Sequence, residues 1–240
     1  MLLKRTFVFL FLFSFLNVLH AQTANDIISR YIEYIGGEKK WYAVKTIVTT
    51  GTYDYGGIVF PFTSYSKAPD LYKYIVTSNG KYFAQAFDGN EGWKIDGFKN
   101  ETQKTMLTGK AATAMMNEAD VELESPLIDY KKKGSRITSE GQDTVDAQTC
   151  FKLKFIRNNG DTERYFFNTK NFELVKKQMI SKNDELDSSM IDIFYSDYRE
   201  VNGIKIPFKA VTKAGDQTIL TVTVDKVILN EPVSSDEFKP

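Results

Sequence analysis

The feature that most constrains the fold of this chain is an alternation of apolar and polar residues with a period of two, which begins near Ile47 and continues to Leu229. Turn-forming pairs such as Gly56-Gly57 and Asn202-Gly203 interrupt the alternation about every ten positions, a spacing typical of antiparallel meanders. We therefore predict a mainly β fold with about eleven antiparallel strands in a single sheet. A sheet of that width is expected to curve, because its twist prevents it from staying flat, and its concave face then has to be filled.

Two apolar segments do not follow the alternation. Residues 25–35 place apolar side chains at helical spacing and are followed by Gly36-Gly37, which predicts an N-terminal helix and its end. Residues 102–134 combine Met, Leu, Ala, Glu and Lys with few β-branched residues, which predicts two short helices, the second with Pro126 in its first turn. These helices lie at either end of the first group of strands and are available to fill the concave face.

The first 21 residues have the composition of a cleavable secretory signal. Lys4-Arg5 forms a basic start, residues 7–16 are apolar, and a small residue precedes the expected cleavage position. The apolar run is short for a helix that crosses about 30 Å of hydrocarbon, so a retained membrane anchor is the less favoured alternative. No cysteine follows the cleavage position, and we expect no lipid anchor there. We predict a soluble periplasmic protein that starts at Gln22 and forms one domain over residues 22–240.

Removal of that segment also removes the only histidine, His20, together with two basic residues. The remaining chain has 29 basic and 31 acidic residues and no long basic run, which argues against nucleic-acid binding. Without histidine, the chain lacks the usual nucleophile–base pairs and imidazole metal ligands. We therefore predict a protein that is not an enzyme and that holds no metal and no cofactor.

Two features leave other chemistry open. Cys150 is the only cysteine and heads a strand on which Lys152 and Lys154 would share its face, so it is either a reactive thiol or, more commonly, a covered structural one. A single cysteine cannot form an intramolecular disulfide, so the fold has to rest on a large core. Glu122 and Glu124 would suit a carboxylate hydrolase, although charges on a helix edge are usually only solvated.

A set of short motifs occurs in order along the chain: the opening helix with Gly36-Gly37, Phe87-Asp88-Gly89 with Trp93, Glu124-Ser125-Pro126-Leu127, the hairpin over Tyr198–Pro207, Asn230, and the terminal Phe238-Lys239-Pro240. In this order they resemble the LolA/LolB-like family of periplasmic lipoprotein-sorting proteins. The resemblance extends over nearly all of the chain after residue 21. It implies a strongly curved, unclosed antiparallel half-barrel with helices lying in its mouth as a lid, here residues 102–134.

The same resemblance implies a function. The cavity of the half-barrel would bind acyl chains of lipoproteins or other lipids, and the protein would carry them between membranes as a monomer. An inner-membrane transporter and an outer-membrane receptor would then be its partners. The carrier of the family latches its lid with an arginine on an early strand, and residues 44–55 contain no arginine, so the resemblance does not imply strict specificity for lipoproteins.

The candidate ligand site combines the lid with the floor of the sheet. Methionine suits surfaces that accept apolar ligands of variable shape, although Met115 and Met116 would be ordinary core in most proteins. Two further functions stay open, a module that binds a protein partner through the curved sheet and a carboxylate hydrolase. The side chains expected to line or cover the cavity are Phe83, Phe87, Trp93, Met106, Leu107, Met115, Met116, Leu127, Ile128, Phe155 and Phe167.

Overall fold

A computed structural model describes residues 22–123, 125–182, 186 and 189–240, with the backbone alone at 121–123. The predicted signal segment, residues 1–21, lies outside the described residues, and so do Glu124 and the side chain of Glu122. Within the described ranges, no helix is both long enough and apolar enough to span a membrane.

Thirteen antiparallel strands form one continuous sheet. They are β1 (Thr46–Tyr55), β2 (Ile58–Lys67), β3 (Leu71–Ser78), β4 (Lys81–Phe87), β5 (Gly92–Asp96), β6 (Thr105–Met106), β7 (Arg136–Val145), β8 (Gln148–Ile156), β9 (Thr162–Asn168), β10 (Leu174–Ile180), β11 (Met190–Val201), β12 (Ile204–Ala214) and β13 (Gln217–Leu229).

The sheet consists of two meanders that meet where β1 pairs with β13. The strands from β6 to β1 lie side by side, and from β13 the order runs back through β12 to β7. The edges β6 and β7 do not pair with each other, so the sheet curves without closing. The predicted open antiparallel sheet is confirmed. The strand count is thirteen rather than about eleven, in part because the short strand β6 lies in a segment that we expected to be helical.

The N-terminal helix is confirmed as α1 (Ala24–Tyr34). It begins with a capping box, in which the Thr23 side chain accepts from the Asp26 N–H and the Asp26 carboxylate accepts from the Thr23 N–H. Gly36 and Gly37 follow with φ angles of 115° and 87°, which glycine adopts without steric cost, and they end the helix. A second helix, α2 (Glu38–Tyr42), was not predicted because its five residues are too short to show a periodic pattern.

The predicted lid segment contains one helix rather than two. This helix is α3 (Gly109–Leu123). After it, residues 126–134 form consecutive turns instead of the second helix that we expected from Pro126. Asp129 has a φ of 53°, in the left-handed region, and this conformation interrupts a right-handed helix.

Both long helices lie on one face of the sheet, which we call the inner face. α1 packs Ile27 and Tyr31 into a large core, and the rings of Tyr31 and Phe167 have centroids 5.1 Å apart. Ile47 belongs to that core and pairs across strands with Ser66, which in turn pairs with Tyr72 beneath α3. Residues that pair directly in an antiparallel sheet point to the same face, so α1 and α3 cover different parts of one surface.

The outer face carries two smaller clusters. The C-terminal segment covers the first of them, where Trp93 Nε1 donates a hydrogen bond to the Phe238 carbonyl oxygen at 2.7 Å. Cys150 is fully buried in the second cluster with Phe166 and Val175. Burial raises the pKa of the Cys150 thiol, which disfavours the thiolate and supports the structural interpretation of this residue.

Candidate functional site

The structure divides the predicted site residues among three places. Phe87, Leu107 and Met115 pack together beneath α3, and Phe83 lies beside Tyr74 with ring centroids 5.8 Å apart. A second set, Leu127, Ile128, Phe155 and Phe167, lies fully buried in the core beneath α1. These two sets fill opposite parts of the inner face, so they do not form one common floor.

Trp93, Met106 and Met116 do not line the inner face. Trp93 pairs with Ala86, one position before the inner-face residue Phe87, and therefore points to the outer side. Met106 pairs with Trp93 and shares that side. Met116 is 41% exposed, whereas the preceding Met115 is 3% exposed, because successive helical residues point about 100° apart.

Between the two packed clusters, a strip of the inner face is left uncovered. We call it the inner strip and define it as Tyr53, Tyr55, Ala210, Thr212, Val222 and Ile193. Cross-strand pairs run through it from Tyr53 to Val222 and from Val222 to Ala210, and Thr212 pairs with Ile193. All six side chains are only half-buried or exposed. These side chains are therefore mostly apolar surface on the inner face that belongs to neither packed cluster.

Glu118 places α3 next to the inner strip. The Glu118 side chain is accessible to solvent, yet protein surrounds it closely enough that desolvation raises its pKa, against the opposing charges of Lys177 and Arg157. Burial and the Glu118 charge likewise raise the pKa of Tyr55, which is 48% exposed, and that of Tyr74. Glu118 therefore lies between Tyr55 and Tyr74 of the first meander and Lys177 and Arg157 of the second.

Polar contacts hold one side of α3 against the β8–β9 hairpin. Arg157 donates from Nη1 to Asp120 Oδ2 at 2.8 Å and from Nε to Glu163 Oε1 at 2.9 Å. Asn117 Nδ2 donates to Asp161 Oδ2 at 2.9 Å. A crevice of about 240 Å³ opens at this junction, lined by Asn117, Asp161, Glu163 and other residues of the hairpin and of β10. These polar contacts hold one side of α3, while Met115 and Ala119 pack another side of the helix on the sheet.

A groove of about 600 Å³ lies elsewhere, near the start of β1 and the end of β13. Its Lys67 already donates from Nζ to the Val233 carbonyl oxygen at 2.8 Å and to Ser235 Oγ at 2.9 Å. Tyr53 and Val222 lie toward the opposite ends of these two strands. The groove is therefore separate from the inner strip, and we do not include it in the candidate site.

Several solved structures share this arrangement of sheet and helices. A DUF1329 family protein from Desulfovibrio piger has a TM-score of 0.60 at 12% identity, over 90% of this chain and 96% of that one. A LolA superfamily protein from Nitrosomonas europaea has a TM-score of 0.60 at 12% identity, over 92% and 99%. The chain has the LolA-like fold. A domain from Vibrio parahaemolyticus, described as that of an outer membrane lipoprotein-sorting protein, has a TM-score of 0.58 at 9% identity, over 89% and 94%. No family model and no curated protein matches the sequence.

Within this LolA-like fold, three charged residues of the inner face are not among those that the sequence singles out. They are Arg157, Glu163 and Lys177, with 7%, 2% and 7% of their surface exposed. The sequence does contain an indication for Lys177. It follows Lys176 in a strand, and adjacent strand residues point to opposite faces of the sheet. One of the two lysines therefore has to face the inside of the sheet.

Among the described residues, no group of three or more His, Cys, Asp or Glu side chains is placed to hold a metal ion. The carboxylate pair suggested by Glu122 and Glu124 lies outside the described side chains. What the LolA-like fold offers here is an apolar strip, a covering helix and a few buried charges at one end of the strip.

Proposed function

We propose that this protein is a non-catalytic carrier that binds acyl chains of lipids or lipoproteins in the space between α3 and the inner strip. The observation that carries the proposal is the half-buried, mostly apolar inner strip beside α3, whose residues belong to neither packed cluster. Burying a methylene group contributes about 0.8 kcal/mol, so a dozen methylenes would contribute on the order of 10 kcal/mol. No bond has to form or break for such a protein to function.

The proposed location and partners follow from the sequence and from the fold. A signal-like segment at residues 1–21 supports a periplasmic protein. The similarity to a domain described as lipoprotein-sorting supports a cargo delivered by an inner-membrane transporter and received by an outer-membrane receptor. Purification from the native envelope, followed by lipid extraction and native mass spectrometry, would identify the cargo.

The proposed carrier function can be tested by placing a charge in the strip. Val222→Glu introduces a carboxylate facing the ligand and should weaken the binding of a fluorescent fatty acid by roughly tenfold or more. Thr223→Glu is the matched control, because Thr223 is exposed and follows Val222 on the same strand, where it points to the outer face. Equal fatty-acid affinity in both variants and the wild type, with unchanged thermal melts, would contradict the proposal.

One observation favours a second candidate, a module that binds a protein partner. Ile58 and Val59 begin β2 at the tip of the first hairpin and are 62% and 55% exposed. Exposed apolar pairs of this kind occur at protein contacts. If the protein is only a carrier, changing both residues to Ser should leave its affinity for fatty acids unchanged. If the variant keeps that affinity but no longer co-purifies with a protein that the wild type binds, the second candidate is supported.

A further inference from the structure

Lys177 is a buried cation without a direct partner. It belongs to β10, pairs with Ile193 on one side and with Tyr165 on the other, and therefore points to the inner face. Within the described part of the chain, no acceptor lies within hydrogen-bond distance of Lys177 Nζ, and no carboxylate lies within 4.0 Å of it. The only fully enclosed side-chain nitrogen or oxygen without a partner in that part is Arg157 Nη2, so Lys177 Nζ keeps some accessible surface.

The charges around Lys177 do not neutralise it by contact. Glu163 is occupied by Arg157 Nε at 2.9 Å and by the Tyr165 hydroxyl, which donates to its Oε2 at 2.6 Å. Asp120 is shared between Arg157 Nη1 and Lys133 Nζ, each at 2.8 Å. The carboxylates of this network already accept from other donors, and Tyr195, two residues from Ile193 on the same face of β11, is the neighbour that most raises the pKa of Lys177.

Glu118 faces Lys177 from the covering helix. It is the largest electrostatic contributor from α3 to Lys177, yet the two side chains do not form a salt bridge within 4.0 Å. Residues two positions apart in a helix point about 200° apart, so Glu118 lies on the opposite side of α3 from the exposed Met116. The space between α3 and the sheet is therefore bounded by a carboxyl group above and an ammonium group below.

Lys177 also lies at one end of the inner strip. The cross-strand row that passes through Thr212 and Ile193 reaches Lys177 and then Tyr165, which is part of the closed core beneath α1. From β10 to β1, where the inner strip ends, there are four strand spacings, about 19 Å along the sheet at 4.8 Å each. A long apolar chain that follows the strip would end with its head at Lys177, where the apolar surface gives way to buried charge.

We propose that Lys177 binds the anionic head group of a single-chain amphiphile, a carboxylate or a phosphate, whose acyl chain lies along the inner strip. This inference rests on the proposed carrier function and assigns the orientation of the ligand, with its head inside. Lys177 donates to the head group, Arg157 adds a second positive charge nearby, and the Glu118 carboxyl group donates to the head when it is protonated.

The test compares ligands that differ only in their head groups. Palmitate, hexadecanol and 1-palmitoyl lysophosphatidate would each compete with a fluorescent fatty acid for the wild type and for Lys177→Gln. We expect the wild type to bind at least one of the two anions roughly tenfold or more tightly than hexadecanol, as a charge-assisted hydrogen bond would give. In Lys177→Gln this preference should disappear, while hexadecanol affinity stays the same.

Two control variants separate the head-group site from general effects. Lys177→Arg keeps the cation and should keep the preference. Lys176→Gln removes the adjacent lysine, which lies on the outer face with Nζ 4.2 Å from the Phe166 ring centroid, and should change nothing. Thermal melts of all variants establish that each is folded, and Lys177→Met, which also removes the charge, carries the comparison should the Gln variant prove unstable.

The possible results are distinguishable. If none of the three ligands binds the wild type, the carrier function fails and the head-group site fails with it. If all three bind equally well, the carrier function stands and the head-group site is wrong, because Lys177 then serves only the fold. If an anion is preferred and Lys177→Gln abolishes that preference, the anion that binds more tightly identifies the head group as carboxylate or phosphate.

Discussion

At the scale of single residues, Arg157 balances the buried charges beneath α3. Burial opposes its charge, but the neighbouring carboxylates outweigh that effect and raise the pKa of its guanidinium group. Glu163 has only 2% of its surface exposed, so it depends on Arg157 and on the Tyr165 hydroxyl for compensation. Removing one partner of such a pair leaves an uncompensated buried charge, which costs more than the intact pair contributes.

We therefore expect Arg157→Met to lower the free energy of unfolding by about 3–5 kcal/mol. The matched control is Arg164→Met, because Arg164 Nε contacts Glu140 Oε2 at 2.8 Å with both side chains about 30% exposed. That surface pair should contribute about 0–1 kcal/mol. Urea denaturation of both variants measures the difference. Equal losses of unfolding free energy would show that the buried Arg157 pair contributes no more to stability than the surface pair.

The same network predicts how stability depends on pH. Burial raises the pKa of Glu163, but Lys177, Arg157 and the Tyr165 hydrogen bond together hold it below its ordinary value. A carboxyl group with a lowered pKa in the folded state stabilises the protein above its unfolded pKa of about 4.3, and this stabilisation is lost as the pH falls below it. We expect the free energy of unfolding to fall more steeply below pH 4.5 in the wild type than in Glu163→Gln. Parallel pH profiles for the two proteins would contradict this assignment.

At the scale of elements, α3 is a helix with three different sides. Met115 and Ala119 pack on β3 and β4, Asn117 and Asp120 contact the β8–β9 hairpin, and Glu118 faces the internal space. This explains why the helix interrupts the sheet: it bridges the two meanders above a strip that the sheet alone leaves open. The adjacent residues Met115 and Met116 belong to different sides, so they do not act as a pair.

The two methionines should respond differently to the same substitution. Met115→Asp buries an unpaired carboxylate and should lower the free energy of unfolding by more than about 3 kcal/mol. Met116→Asp acts at an exposed position, so it should change stability by less than about 0.5 kcal/mol and leave fatty-acid affinity unchanged. Thermal melts and a fluorescent fatty-acid titration on each variant test both statements. Loss of affinity in a fully folded Met116→Asp protein would mean that the ligand contacts the opposite side of α3.

At the scale of the whole molecule, one core joins the two meanders. The cluster beneath α1 contains Ile47 from β1, Val227 from β13 and Phe155 from β8, which come from distant parts of the sequence. Because both halves share these contacts, neither half has a complete core of its own. This supports the prediction of a single domain over residues 22–240.

We expect this protein to unfold in one transition that acyl ligands shift. Circular dichroism and the fluorescence of Trp41 in α2 and Trp93 in β5, which belong to different clusters, should report the same midpoint. A ligand that binds only the folded state at 100 times its Kd should raise the free energy of unfolding by about 2.7 kcal/mol. Separate midpoints for the two probes would indicate two independently folding halves.

The sequence by itself determined the class of fold, because the signals for strands and turns are local. Period-two alternation and hairpin turns specify antiparallel strands whatever their partners, and the assignment of Ile47, Tyr53 and Tyr55 to one face of β1 is confirmed by their pairing. The end of α1 at Gly36-Gly37 could also be predicted from the sequence, because it depends only on the backbone conformations that glycine adopts.

Only the tertiary structure decided which face of each strand is covered and what each apolar segment packs against. Alternation looks the same from both sides of a sheet, so the sequence did not distinguish inner Phe87 from outer Trp93. The irregular pairing between Leu174 and Lys176 sets which of the two adjacent lysines points inward, and that register depends on strand β9. The candidate site arises where strands far apart in the chain meet beneath α3, so its charged residues became recognisable only once long-range pairing had placed them together.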